Sequence, residues 1–331
     1  MIRIGMIAAA LVAVPATAKA DWVHKPTGLR VPDAIGDDFR KGETRDASDG
    51  KQANIWVQYG TDEDAATLYV YRSAYPDAGL WFHRTEAAMR GNVGLSGDLP
   101  PPWEVTLFGA AAPNGLRQVY TLDGRTKGFR STALLIVNHG EWLIKVRLSS
   151  RSLDAQALDG RLDRFVAAMR LGKADDNPLA HIAECEGAAP PATISTPVTD
   201  TAEQMRTLVE GGALAQMAAR GASGPAKDDS GWCRVRDDRL APIATVFRER
   251  DGANWVMLIG DSGIAAATRP TLIDTKPKLS GLFLQTHDQT ALIEAYDRPP
   301  APEAAISGAL GPVLSGQRKP IASISMDDKK R

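Results

Sequence analysis

Thr132-Ala133-Leu134-Leu135-Ile136-Val137-Asn138-His139-Gly140-Glu141-Trp142-Leu143-Ile144-Lys145-Val146-Arg147-Leu148 has the residue pattern of a β-hairpin. Thr132 to Val137 is nearly all apolar, the mark of a central strand covered on both faces. Asn138-His139-Gly140 supplies the turn, since Asn and Gly accept a positive φ at little steric cost. Beyond it, Trp142, Ile144, Val146 and Leu148 alternate with Leu143, Lys145 and Arg147, the period-2 pattern of a strand.

On the C-terminal side of this hairpin, a helix capped near Ser152 puts Leu158, Leu162, Phe165, Val166 and Met169 on one stripe and stops at Gly172. On the N-terminal side lie strand runs at 103–108 and 116–122, preceded by a Gly/Pro loop over 91–102. Before that loop, the spacing predicts a helix from about Asp77 to Arg90, with Gly91 as its stop and Phe82, Thr85 and Met89 on its inward face. Further out, β-rich runs at 54–59 and 68–72 flank the polar turn Thr61-Asp62-Glu63-Asp64. Residues 21–172 therefore read as an antiparallel sheet with two amphipathic helices, an α+β sandwich domain. Tyr69 and Tyr71 share one face of their strand, as tyrosines under a covering helix or as the wall of a pocket.

Residues 173–200 change composition, with Asp175-Asp176-Asn177-Pro178, Ala188-Ala189-Pro190-Pro191 and Pro197, and read as a Pro-rich linker. A second α+β domain follows over 201–331. It opens with a helix over 201–220, where Thr201 and Gln204 fit a capping box and Met205, Leu208 and Val209 supply the buried face. Strands are predicted at 231–235, 243–250, 255–259, 263–268, 282–286 and 291–296. A helix at 303–314, a strand at 321–325 and a charged tail at 327–331 complete it.

Residues 1–20 read as a secretory signal peptide: Arg3 is the basic n-region, Ile4 to Val14 the apolar run, and Ala18-Lys19-Ala20 the small-residue cleavage site. As a helix that run spans about 16 Å, half of a bilayer's hydrocarbon thickness, so the membrane-anchor alternative is too short. Cleavage after Ala20 predicts a periplasmic or secreted chain that begins at Asp21 and has no stable membrane insertion. The only two cysteines, Cys185 and Cys233, are then expected to form a disulfide closing a loop of about 48 residues, worth about 4 kcal/mol in the chain-entropy model. Two buried thiols or half of a metal site are the alternatives, the latter lacking any C-x-x-C spacing.

The chain has 331 residues with 44% apolar and 24% charged, which excludes disordered and fibrous classes. Lys and Arg number 39 against 40 Asp and Glu, so the electrostatic footprint of nucleic-acid binding is missing. The five histidines, His24, His83, His139, His181 and His287, show no metal-clip spacing, and His139 and His287 read as exposed turn residues. Asp62-Glu63-Asp64 and Asp175-Asp176-Asn177 lack the spacing of a calcium loop and fit solvated turns. No glycine loop for phosphate or dinucleotide is present, so no cofactor and no metal is expected.

Gly260-Asp261-Ser262-Gly263 resembles the nucleophile loop of trypsin-like serine proteases. The family's His base has no counterpart in this sequence, and Ile264 stands where its second Gly belongs. Between two apolar strands, Asp-Ser-Gly reads as a hairpin turn, with a Ser262 nucleophile as the alternative.

Pro26-Thr27-Gly28-Leu29-Arg30-Val31-Pro32, the paired strands, the helix with Trp81-Phe82, four more strands and the closing helix with Phe165 resemble, in element order, the PsbP/DcrB-like α/β/α sandwich family. The resemblance covers about Thr27 to Leu171. It implies an exported accessory or binding module and carries no active-site residue with it. The second domain resembles no family. The expected function is an exported, non-catalytic binding protein for a partner or small ligand. A secreted hydrolase using Ser262 or a dispersed carboxylate pair is the alternative.

Overall fold

The computed structural model describes residues 21–61, 63–95, 99–123, 128–172, 179, 181–186, 194–221, 231–237, 239–249, 254–261, 263–271 and 278–325. The signal-peptide segment, Asp62, Ser262, Asp175-Asp176-Asn177, half of the linker and the charged tail lie outside them.

The first half runs β1 (Asp21–His24), β2 (Leu29–Pro32), β3 (Ala34–Ile35), β4 (Phe39–Asp46), β5 (Asn54–Gly60), β6 (Asp64–Arg72), α1 (Ala78–Val93), β7 (Trp103–Val105), β8 (Gly115–Thr121), β9 (Ser131–His139), β10 (Trp142–Ser150) and α2 (Ala155–Ala168). β1 and β2 form a separate ribbon, and the others an eight-stranded antiparallel sheet in the order β3-β4-β5-β6-β10-β9-β8-β7. The hairpin that opened the sequence reading lies inside this sheet, with Trp142 opposite His139 and Ile144 opposite Val137. Alternation sends Leu68, Val70, Leu135, Ile144 and Val146 toward Leu158, Leu162 and Phe165 of α2. The ring of Phe165 meets Phe39 and Tyr59 edge-on, 5.3 and 5.2 Å between centroids. Burying an apolar side chain of that size contributes about 1.5–3 kcal/mol.

The second half runs β11 (Ala183–Glu184), α3 (Thr201–Gly221), β12 (Trp232–Val235), β13 (Ala244–Glu249), β14 (Trp255–Ile259), β15 (Ile264–Pro270), β16 (Ser280–Gln285), β17 (Gln289–Tyr296), a helical run α4 over 302–314, and β18 (Ala322–Ser325). Its eight strands pair in chain order, antiparallel except for β11, which lies parallel to β12. One face carries Phe283 and Leu292 against Leu208 and Ala215 of α3. Close approach there depends on Gly211, where a Cβ would stand 2.9 Å from the Phe283 ring. The opposite face packs against α4, whose middle, Ala305–Leu310, is π-helical.

The fold is thus α+β, two antiparallel sheets each packed with helices. A fourth core cluster spans both halves. Trp81, Phe82 and Met89 of α1 share it with Leu134 and Ile136 of the first sheet and with Phe247, Val256, Leu258 and Ala267 of the second. Helix α1 is therefore a middle layer, with a sheet on each side.

Several local expectations are corrected. Helix α1 runs past Gly91 to Val93 and ends at Gly94, in the left-handed region at φ 74°. Helix α2 is capped by Asp154, whose carboxylate accepts from Ala157 N–H, and not near Ser152. Asp200, not Thr201, accepts at the start of α3, from Glu203 N–H, and Gln204 donates to the Val198 carbonyl instead. Met205 and Val209 are exposed on α3, because the sheet meets the helix along Leu208, Gly211 and Ala215. Asp64 is buried and pairs with Arg161 rather than lying in a solvated turn. Lys145 sits on the α1 side of a doubly covered strand and is fully buried.

Candidate functional site

Three residues of α1, His83, Glu86 and Arg90, fall at i, i+3 and i+7 and so share one side of the helix. They line a cleft of about 460 Å³ whose other walls are Pro100–Pro102 and the β11–β12 edge of the second sheet. That volume is within the ~300–1,000 Å³ typical of small-ligand sites.

Arg234 of β12 organises the floor. One of its nitrogens stands 3.2 Å from His83 Nδ1 and 3.8 Å from Glu86 Oε2, and its other terminal nitrogen donates to Glu184 Oε1 at 2.5 Å. Arg236 donates to the same carboxylate at 3.0 Å. A guanidinium only donates, so His83 Nδ1 accepts and its proton rests on Nε2. Burial, reinforced by Arg234 and opposed by Glu184, pushes the His83 ring down to about 3, and it is neutral at ordinary pH. Burial would raise the Glu184 carboxyl, but hydrogen bonds from Arg236 and Arg234 outweigh it and hold it below its usual value. Glu86 accepts from the Tyr120 hydroxyl at 2.7 Å. Burial and that carboxylate push the Tyr120 hydroxyl far above its ordinary range, which keeps it a donor.

Cys185 and Cys233 are joined, with Cα atoms 4.7 Å apart. The bond ties β11 to β12, and Cys185 N–H also donates to the Arg234 carbonyl at 2.9 Å. Glu184 precedes one cysteine and Arg234 follows the other, so the disulfide sets the spacing of this ion pair.

A smaller cavity, of about 100 Å³, opens where Arg72 and Glu141 of the first half face Gln285 and His287 of the second. His287 is thus a partly covered wall residue rather than an exposed turn, and His139 is likewise half-buried. His24 is fully buried, its ring bonded to Thr27 Oγ1 at 2.8 Å and to the Gln52 carbonyl at 2.9 Å. His181 stands 3.4 Å from Glu104. Among the described residues no three His, Cys, Asp or Glu side chains cluster to hold a metal ion.

Gly260 to Gly263 joins β14 to β15 as a hairpin turn, with Ile259 opposite Ile264. Ser262 lies outside the described residues, but its neighbours dock the turn onto the first half. Asp261 meets Lys145 Nζ at 2.6 Å and accepts from the Thr85 hydroxyl at 2.9 Å. The Gly260 carbonyl accepts from Arg84 at 2.7 Å, and the Gly263 carbonyl from Ala74 N–H at 3.1 Å. Tyr69 and Tyr71 line neither cavity. Their rings pack around the Lys145 ammonium, centroids 4.2 and 5.6 Å away.

No model in a scan of protein families matches this chain. A search of curated proteins also finds no match. A crystal structure at 1.50 Å resolution from Bacteroides thetaiotaomicron VPI-5482 is similar with a TM-score of 0.26 and 10% identity, over 70% of this chain and 84% of that one. A likeness that low carries no argument about fold or function.

The cleft has little signature in the sequence. Its one available signal was the polar stripe His83, Glu86, Arg90 on α1, which local periodicity assigns to solvent.

Proposed function

We propose that the protein is an exported, non-catalytic binding module that holds a small ligand in the cleft between α1 and the β11–β12 edge. The observation that carries this reading is the chemistry of the cleft wall. Its Glu86, Glu184, Arg234 and Arg236 side chains are held in mutual ion pairs and hydrogen bonds, and its only side-chain hydroxyl among the described residues is Thr245, 3.4 Å from Arg84. A general base is most useful when its pKa lies near working pH, and His83 is far below it. Export is supported by the signal-like residues 1–20 and by the Cys185–Cys233 bond, which persists in oxidising compartments. No helix among the described residues is long and apolar enough to cross a membrane. The element-order resemblance of the first half to PsbP/DcrB-like modules points the same way.

The test is a thermal-shift panel of amino acids, sugars, dicarboxylates and polyamines, run on the parent and on Ala87→Trp. Ala87 is half-buried and lines the cleft from α1, so the indole fills it. At least one solute should raise the parent's Tm and leave the variant's unchanged. A panel without any response, or an equal response from Ala87→Trp, overturns the reading.

A further inference from the structure

We propose that the ligand of this cleft is a small anion bearing a carboxylate or phosphate group, and that Glu184 is its built-in stand-in. The inference rests on the cleft being the ligand site and adds the chemical class. A carboxylate already occupies the fork of Arg234 and Arg236, and its donors lie 2.5 and 3.0 Å from it. Planar guanidinium forks match carboxylate and phosphate oxygens better than they match neutral or cationic groups.

The stand-in is displaceable. Glu184 belongs to a two-residue edge strand and its side chain is 43% exposed; of its two partners Arg236 is 72% exposed and Arg234 is 24% exposed, so the Arg236 arm is the weaker one. Ion pairs that exposed are weak, because water and salt compete for both partners. The disulfide at Cys185 keeps β11 on the sheet while the Glu184 side chain turns away.

Once Glu184 has turned out, the wall is electropositive. Arg234 and Arg236 face the cleft from the second half and Arg90 from α1. The remaining acids, Glu86 at 3.8 Å from Arg234 and Asp237 paired with Arg239 at 3.5 Å, leave these three guanidiniums facing two carboxylates. His83 stays neutral and adds no charge.

The experiment is calorimetric titration at low ionic strength with citrate and, separately, with inorganic phosphate. It uses the full exported chain, Glu184→Gln, Arg236→Gln, the double variant and Ala87→Trp. Glu184→Gln should tighten binding of citrate or phosphate at least tenfold, and adding Arg236→Gln should remove the gain. Arg236→Gln alone should weaken the parent's binding at least tenfold, so the result does not hang on one variant folding. Whichever anion gains more identifies the group recognised. Unchanged or weaker anion affinity in Glu184→Gln, or unchanged affinity in Arg236→Gln, overturns the anion class. If a neutral solute binds the parent and is lost in Ala87→Trp, the anion class fails and the cleft reading survives. Anion binding that ignores Ala87→Trp overturns the cleft as the site.

Discussion

Lys145 Nζ and Asp261 Oδ1 meet 2.6 Å apart, the ammonium from the middle of the first sheet and the carboxylate from a hairpin tip of the second. The lysine is fully buried, while the aspartate side chain retains 33% exposure. Burial lowers the lysine's pKa, and Asp261 opposes that shift.

This asymmetry predicts unequal losses. Asp261→Asn strands a buried ammonium and should cost about 3–5 kcal/mol, whereas Lys145→Met removes the buried charge and should cost no more than about 2. Urea unfolding of both variants measures it. Equal losses, or a larger one for Lys145→Met, would show that the pair does not join the halves as described.

His83 makes stability depend on pH. Its folded pKa is about 3 against 6.5 when unfolded, so between those values the unfolded chain binds the extra proton. Stability from this group is therefore complete above pH 6.5 and falls as pH drops toward 3, by up to about 1.4 kcal/mol per unit. His24, lowered chiefly by burial, adds a slope of the same sign. Denaturant midpoints between pH 7 and pH 4 should fall less steeply for His83→Asn than for the parent; identical slopes would be evidence against a buried neutral His83.

Replacing both cysteines by serine should cost about 2–4 kcal/mol, because the unfolded chain regains the closed loop's freedom. Non-reducing peptide mapping should recover the Cys185–Cys233 link from the native protein. Free alkylation of both thiols would contradict it.

At the hairpin tip, Gly263 has φ 84°, and a Cβ there would stand 2.7 Å from the Arg72 carbonyl oxygen. Gly263→Val should therefore lower Tm sharply, through both backbone strain and the clash with the first half. Ser262→Ala should change stability by about 1 kcal/mol or less. Neither parent nor variant should label with a fluorophosphonate probe. Labelling of the parent that Ser262→Ala abolishes would replace the binding reading with a hydrolase.

What the sequence alone determined is what repeats over short distances. The alternation in 142–148 specifies which residues of β10 share a face, and the observed pairing with β9 and β6 keeps it. The stripe through Leu158, Leu162 and Phe165 likewise names the buried side of α2. Cysteine count and apolar leader were enough to expect the disulfide that ties β11 to β12. Periodicity, however, reports only that a face is covered or polar, never which distant layer covers it. Helix α1 shows the difference. Its Phe82, Thr85 and Met89 were legible as core, but Arg84 is buried by bonds to Gly260 and Ala241, 176 and 157 residues away. The same second layer turned His83, Glu86 and Arg90 from a solvent stripe into a cleft wall, and it buried Lys145 on a strand whose alternation gave it a polar face. On α3, Met205 and Val209 fit the helical period as well as Leu208 does, and only the seating of Phe283 against Gly211 decided which of them the sheet would cover. These choices are made by long-range contacts between sheets, and local spacing carries no information about a partner more than a hundred residues away.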